Sequence, residues 1–189
     1  MVAVTRTPRD SWIEQGLLAL STGGPEAVRI ESLAQALGVT KGGFYGHFAD
    51  RNALLDEMLD AWEQGATDEV RAQVEREGGD ARTKIRRAGL LTFSDDRMLP
   101  IDLAIRDWAR RDDAVAERLR RVDNYRMDYA RELFGSLYSD PVEVEARSLL
   151  AFCLAVGKHF LVADHHDLTR NEVAFRAADL LLGNPPDGA

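Results

Sequence analysis

The nine residues "TKGGFYGHF" at positions 40–48 decide how the chain is read. Two structures compete for them. Glycine beside lysine suggests a phosphate-binding loop, and aromatics four apart suggest a helix. A phosphate loop needs the order G-x-x-x-x-G-K-[ST] after a buried strand. Here the order is Thr-Lys-Gly-Gly, and the residues before it have a helical pattern. No strand precedes it that would support a dinucleotide fingerprint either. The helical reading accounts for more. Thr40 stands as N-cap, its hydroxyl placed to accept from the N–H of Gly42 or Gly43. Val39 and Phe44 then form a hydrophobic staple across the helix start. Phe44 and Phe48, four apart, face inward together. Tyr45 and His47 point elsewhere, toward solvent or a ligand.

This helix is intrinsically poor. Glycines at 42, 43 and 46 cost up to about 1 kcal/mol each relative to alanine in a helix interior. So short a segment does not hold alone in water. Packing of Phe44 and Phe48 against the first and fourth helices must hold it. Missing side chains also let the backbone approach a groove or a phosphate closely. A tight crossing of helices with no nucleic acid nearby explains the same glycines.

Working outward, Ile30, Leu33, Ala34 and Leu37 lie on one helical face, and Gly38 suits the left-handed position just past a helix end. Helix, short link and second helix make a helix-turn-helix. Upstream, Thr7-Pro8-Arg9-Asp10 reads as a start signal: hydroxyl N-cap, proline at the first helical position, acid at the third. Ile13, Gly16, Leu17 and Leu20 follow at helical spacing, and Gly23-Gly24 ends that helix. Downstream of Asp50, Leu55, Met58, Leu59 and Trp62 define a helix whose pattern runs on through Val70 and Val74 to Gly78-Gly79. Another helix is expected over residues 82–93, then a loop over 94–100. Ile101, Ala104, Ile105 and Trp108 mark the next helix. A long one begins near Asp112, with Val115, Leu119, Val122, Tyr129 and Leu133 inward. Asp140-Pro141-Val142-Glu143 is a further start, and Thr169-Arg170-Asn171-Glu172 is a full capping box. Gly183, Pro185 and Pro186 close the last helix. The expected fold class is all-α with about nine helices: a three-helix N-terminal head and a larger C-terminal helical domain.

Composition narrows the function. The chain has 189 residues, a single cysteine (Cys153) and a formal net charge of −8. One cysteine gives no disulfide framework. No apolar run approaches the ~20 residues of a membrane helix, and charged residues interrupt the N-terminus where a signal core would lie. These features lead to the expectation of a cytoplasmic protein with no membrane partner. The acidic balance argues against a nonspecific nucleic-acid binder. The imbalance is downstream, however. Up to Phe48 the bases Arg6, Arg9, Arg29 and Lys41 balance the acids Asp10, Glu14, Glu26 and Glu31.

Together, "GLLALSTGG", "VRIESLAQALGVTKGGFYGHF" and "ADRNALL" resemble the DNA-binding domain of TetR-family transcriptional regulators. The order Leu-Ala, Gly-Val-Thr, Phe-Tyr-x-His-Phe carries the resemblance, over nearly the first third of the chain. It implies a DNA-binding domain over residues 1–50, extending into the start of the fourth helix, and a ligand-binding and dimerisation domain over 51–189. It implies a homodimer that sets the third helix of each subunit in a major groove of palindromic operator DNA. A small-molecule effector in the C-terminal domain would release the DNA, so the chain would be a repressor. By position, Thr40, Tyr45 and His47 match residues that contact phosphates or lie at the DNA surface. Lys41 and Gly42 sit where bases are read or approached, and Arg51 matches the basic residue at the start of the fourth helix that commonly contacts phosphate. Arg29 departs from the family's usual hydroxyl residue, yet arginine can reach a phosphate. Arg6 and Arg9 form either an N-terminal arm near the minor groove or solvent-facing charge. With two glycines on the reading helix, part of the specificity is expected to come from DNA shape.

In the body, residues 149–156 are apolar all round their helix, the pattern of a helix covered on both faces. Leu149, Leu150, Cys153, Val156 and Phe160, with Val173, Ala177, Leu180 and Leu181 of the last helix, are the expected dimer interface. The alternative is a central core helix in a monomer. Candidate effector-pocket residues are Trp62, Phe93, Met98, Trp108, Tyr125, Tyr129 and Phe152, although aromatics at helical spacing are commonly core. No cofactor is expected and no catalytic spacing is present, so the chain does not read as an enzyme. Two other readings compete with the regulator. One is a helical protein–protein interaction module on the same scaffold. The other is a metal-dependent enzyme using His159, His165 or His166, although adjacent histidines rarely ligate one ion and the metal expectation is none.

Overall fold

The computed structural model describes residues 7–93 and 98–183, without the side chain of Phe93. Arg6, residues 94–97 of the expected loop, Pro185 and Pro186 lie outside them. In chain order the helices are α1 (Arg9–Gly23), α2 (Ile30–Ala36), α3 (Lys41–Phe44), α4 (Arg51–Gln64) and α5 (Val70–Glu77). Then come α6 (Ala81–Phe93), α7 (Met98–Ala109), α8 (Asp113–Gly135), α9 (Pro141–Gly157) and α10 (Arg170–Leu182). A π-helical turn, Gly65–Glu69, follows α4 and leads directly into α5, so residues 51–77 are one unbroken helical run in sequence. Counted that way, the described residues form nine helices and no strand, as the all-α reading expects.

The chain divides into two compact units. The first comprises Met1–Asp68 and Asp96–Val122, so the head helices share their core with α7 and the start of α8. Trp12, Leu20, Val28, Phe44, Leu54, Met58, Trp62 and Ile105 are fully buried there. Helix α1 packs on both α4 and α7. Gly16 permits the close approach of α1 to α4, for a Cβ at this position would lie 2.5 Å from Met58 Sδ. The Trp62 indole N–H donates to Asp102 Oδ1 at 3.3 Å. Asp102 is wholly buried, and Arg106 compensates its charge at 2.8 Å. A buried carboxylate is tolerated only with such a partner.

The second unit comprises Glu69–Asp95 and Asp123–Ala189. Val74, Tyr129 and Leu133 form its buried cluster, with Val70, Ile85, Ala88 and Leu91 packed against them. The Tyr129 hydroxyl donates to Glu75 at 2.7 Å. The C-terminal end of α10 is tied down by three side chains. Arg82 donates to the carbonyls of Leu182 and Gly183 at 2.5 and 2.6 Å, and Tyr138 to that of Leu182 at 2.6 Å. Arg147 donates to the carbonyl of Leu181. These are the carbonyls a helix end leaves without internal partners.

The helix starts follow the sequence in some places and depart from it in others. Asp140 accepts from the N–H of Val142 at 2.9 Å with Pro141 at the first position, and Thr169 and Glu172 form the complete capping box. Asp50 caps α4 through Ala53 N–H. Thr7 does not cap α1. Helix α1 begins at Arg9 with Pro8 in the N-cap position, one residue later than expected. Thr40 is the N-cap of α3, as its extended φ and ψ show, but its hydroxyl makes no cap bond. Of the expected loop over 94–100, Met98, Leu99 and Pro100 are instead helical, in α7. Pro100 sits in its first turn, where a missing N–H costs nothing.

Candidate nucleic-acid interface

The turn between α2 and α3 is built by Gly38, whose φ of +67° is the left-handed conformation that ends a helix. Val39 N–H returns to the Ala34 carbonyl at 2.9 Å. The small side chain of Ala34, 4% exposed, lies where the chain folds back. Helix α3 is a single turn, and the residues after it continue as turns. His47 and Phe48 N–H both return to the Phe44 carbonyl, at 2.9 and 3.1 Å. An aromatic stack holds this segment. Phe44 meets the edge of Trp12 at 5.4 Å between centroids and stacks on Phe48 at 5.2 Å. Phe48 is therefore a buried clamp just beyond α3 rather than a residue within it. Trp12 was not singled out in the sequence. Its position four residues before Gly16, on the same helical face, was the signal.

Burial of Phe44 fixes what faces outward. Thr40, Lys41, Gly42 and Tyr45 are exposed and His47 is half-buried. Tyr45 is 55% exposed, with its ring propped edge-on against Phe44 at 5.3 Å. The sequence-expected DNA-facing residues of α3 and its following turn thus lie on the outer side of an aromatic clamp.

The cations around this surface are differently engaged. Lys41 forms an ion pair with Glu31 of α2, and both are exposed. The pair holds the Glu31 carboxyl below its ordinary range and the Lys41 amine above its own, chiefly through their hydrogen bond. Arg29, the exposed N-cap residue of α2, donates to the Glu26 carbonyl at 3.2 Å. Arg51 donates to the Val28 carbonyl at 2.7 Å and to that of Pro25, pinning the 25–28 turn to the start of α4. Arg9 lies in the first turn of α1 and makes a two-pronged pair with Glu57, both bonds at 2.7 Å. Its guanidinium also covers the Phe48 ring at 4.9 Å. Arg9 is thus exposed to solvent but belongs to α1 and is held against Glu57 and Phe48.

In the body, the candidate pocket residues fall into different clusters. Trp62 and Trp108 are core residues of the first unit, 0% and 8% exposed, with Met98 partly buried against that core. Tyr129, 5% exposed, belongs to the second unit, where Tyr125 and Phe152 are half-buried. The candidate interface residues behave otherwise. Leu149, Leu150, Phe160 and Leu180 are 52–67% exposed, and Cys153 is exposed. Val156, Val173, Ala177 and Leu181 are half-buried. Helix α9 is therefore covered on only one side within a single chain. Among the described residues no group of three or more His, Cys, Asp or Glu is placed to hold a metal, and no helix is long and apolar enough to cross a membrane.

A helix-turn-helix whose second helix faces outward, carried on an all-helical chain, defines the class of helix-turn-helix regulators. Residues 13–58 match the family described as bacterial regulatory proteins, tetR family, and form an N-terminal domain of that kind. No curated protein matches the chain. Solved structures share its fold. A transcriptional regulator from Rhodococcus sp. Rha1 superposes with a TM-score of 0.71 at 18% identity, covering 94% of this chain and 95% of its own. AibR, solved in complex with isovaleryl coenzyme A and operator DNA, gives 0.68 at 16% identity, covering 94% and 98%. The fatty acid degradation regulator FadR from Bacillus halodurans gives 0.65 at 17% identity, covering 93% and 94%. The family match thus covers the N-terminal domain, and the solved structures share the fold along nearly the whole chain.

Proposed function

We propose that the chain is a repressor that binds a palindromic operator as a homodimer and is released by a small-molecule effector. One observation carries the DNA-binding part. Phe44 is clamped between Trp12 and Phe48, and this turns Thr40, Lys41, Gly42 and Tyr45 outward as a rigid surface. Thr40, Tyr45 and His47 would position the domain on phosphates, with Arg29 alongside and Arg51 bracing the turn that carries Arg29. Lys41 and Gly42 would stand nearest the base edges. Exposed apolar residues on α9, just after it and on α10 support a dimer, since a surface of Leu149, Leu150, Phe160 and Leu180 is costly in water. AibR, with the same fold, was solved with isovaleryl coenzyme A and operator DNA, which supports a small-molecule effector here, with release of DNA as part of the proposal. The effector site is proposed within the second unit, near Tyr125, Tyr129 and Phe152.

Selection of bound duplexes from a random pool tests the reading. The expected result is a two-fold symmetric site whose affinity falls with salt. Lys41→Ala and Tyr45→Ala should each weaken binding to that site about tenfold while the dimer persists, an order of magnitude typical of losing a good contact. A pool that yields no preferred sequence at low salt, or two variants that bind like the parent, would sink the proposal.

A further inference from the structure

Among the described residues, the outward surface of the head carries few cations, each with its own partner. Arg9 is matched to Glu57. Arg51 is half-buried and donates to two backbone carbonyls. Arg29 is exposed and donates to a carbonyl, so no carboxylate offsets its charge in that bond. Lys41, in the first turn of α3, is the remaining case. Its amine is held by the Glu31 carboxylate, from the first turn of α2. The two residues are ten apart in sequence and are brought together only by the turn at Gly38.

Resting on the DNA-binding reading above, we propose that Glu31 is an affinity- and specificity-setting residue that competes with DNA for the Lys41 amine. Three physical arguments support it. First, Lys41 is about half exposed and Glu31 about two-thirds, so the pair is solvent-screened and contributes little to folding. A pair of this kind can open at small cost. Second, Lys41 lies beside Gly42 and Tyr45 on the surface proposed to meet the double helix. A DNA acceptor there must displace the carboxylate or accept it as a neighbour. Third, each phosphate neutralised by a cation adds about 0.9 to the salt dependence of binding. A lysine already neutralised by a carboxylate adds less than a free one. Glu31 therefore suppresses the sequence-independent part of binding. A site that offers Lys41 a good base acceptor is penalised least, so the carboxylate raises the ratio of specific to nonspecific affinity.

The test compares the full-length parent, Glu31→Gln, Lys41→Ala and the double variant on the selected operator and on a scrambled duplex, from low to moderate salt. Glu31→Gln should bind the scrambled duplex about three- to tenfold tighter at low salt, with a salt slope steeper by about one. The gain on the operator should be smaller. In the Lys41→Ala background the gain should vanish, because the carboxylate acts through that amine. Thermal unfolding should be unchanged by Glu31→Gln, which separates the effect from folding. If Glu31→Gln binds either duplex no tighter than the parent, the proposal is overturned. It is also overturned if the gain persists without Lys41, since Glu31 would then repel DNA by itself. These failures are distinct from failure of the functional reading, in which the parent itself selects no DNA.

Discussion

At Gly42 an added Cβ would meet only the Thr40 hydroxyl, 3.7 Å away, which is ordinary contact. The protein itself therefore has room for a side chain there, and a helix gains from one. Gly42→Leu should leave the melting temperature unchanged or slightly higher. Operator binding should nevertheless fall about tenfold or more, a loss of roughly 1.4 kcal/mol, because the side chain would occupy the space a groove must enter. Melting curves and operator titrations on the same preparations check both halves. Unimpaired binding would mean that the glycine serves only the fold. At this scale the sequence was partly legible. The inward pair Phe44 and Phe48 and the outward Tyr45 follow from helical spacing alone. The pairing of Lys41 with Glu31 and the tie from Arg51 to residues 25 and 28 do not. They depend on how one helix crosses the next, which no local spacing encodes.

Among the elements, helix starts were legible where cap and proline or cap and acid agree. Thr169 is the strongest case. Its hydroxyl accepts from Glu172 N–H at 3.2 Å, and its own N–H donates to the Glu172 carboxylate at 2.7 Å. Thr169→Ala should cost about 1 kcal/mol of stability at neutral pH, read by thermal or denaturant unfolding. The Thr169 bonds, backbone first, hold the Glu172 carboxyl below its ordinary range. A depressed carboxyl stabilises the fold above its unfolded value, about 4.3, and that contribution disappears as pH falls through the folded value. The difference between parent and Thr169→Ala should therefore narrow in acid. An equal difference at neutral and acid pH would show that the hydroxyl's own bond to the carboxylate plays no part, since the variant keeps the backbone bond. The starts of α1 and α7 were misread for one reason. Proline's fixed φ suits the N-cap and the first helical turn alike, so Pro8 and Pro100 mark a helix start without fixing its first residue. Thr40 adds a separate lesson: extended N-cap dihedrals do not oblige the hydroxyl to bond.

For the whole chain, the apolar pattern of residues 149–156 predicted a helix covered on both faces, and a single chain covers one. This mismatch fits the proposed partner copy, because leucines kept outward on a helix are costly in water unless covered. Leu150 is 56% exposed. Leu150→Glu should therefore change the folding of one chain little, yet convert a sedimenting dimer into a monomer. A parent that sediments as a monomer at micromolar concentration would refute the interface. The candidate pocket was less legible, because aromatics that line a ligand and aromatics that fill a core share the same spacing. Trp62 and Trp108 proved to be core.

That placement has an optical consequence. All three tryptophans, Trp12, Trp62 and Trp108, are at most 8% exposed and lie in the unit that contains the head. Indole emission from this chain is therefore a local signal. It follows the loosening of the core beneath α3, and the unit that carries the apolar face of α9 is dark in that channel.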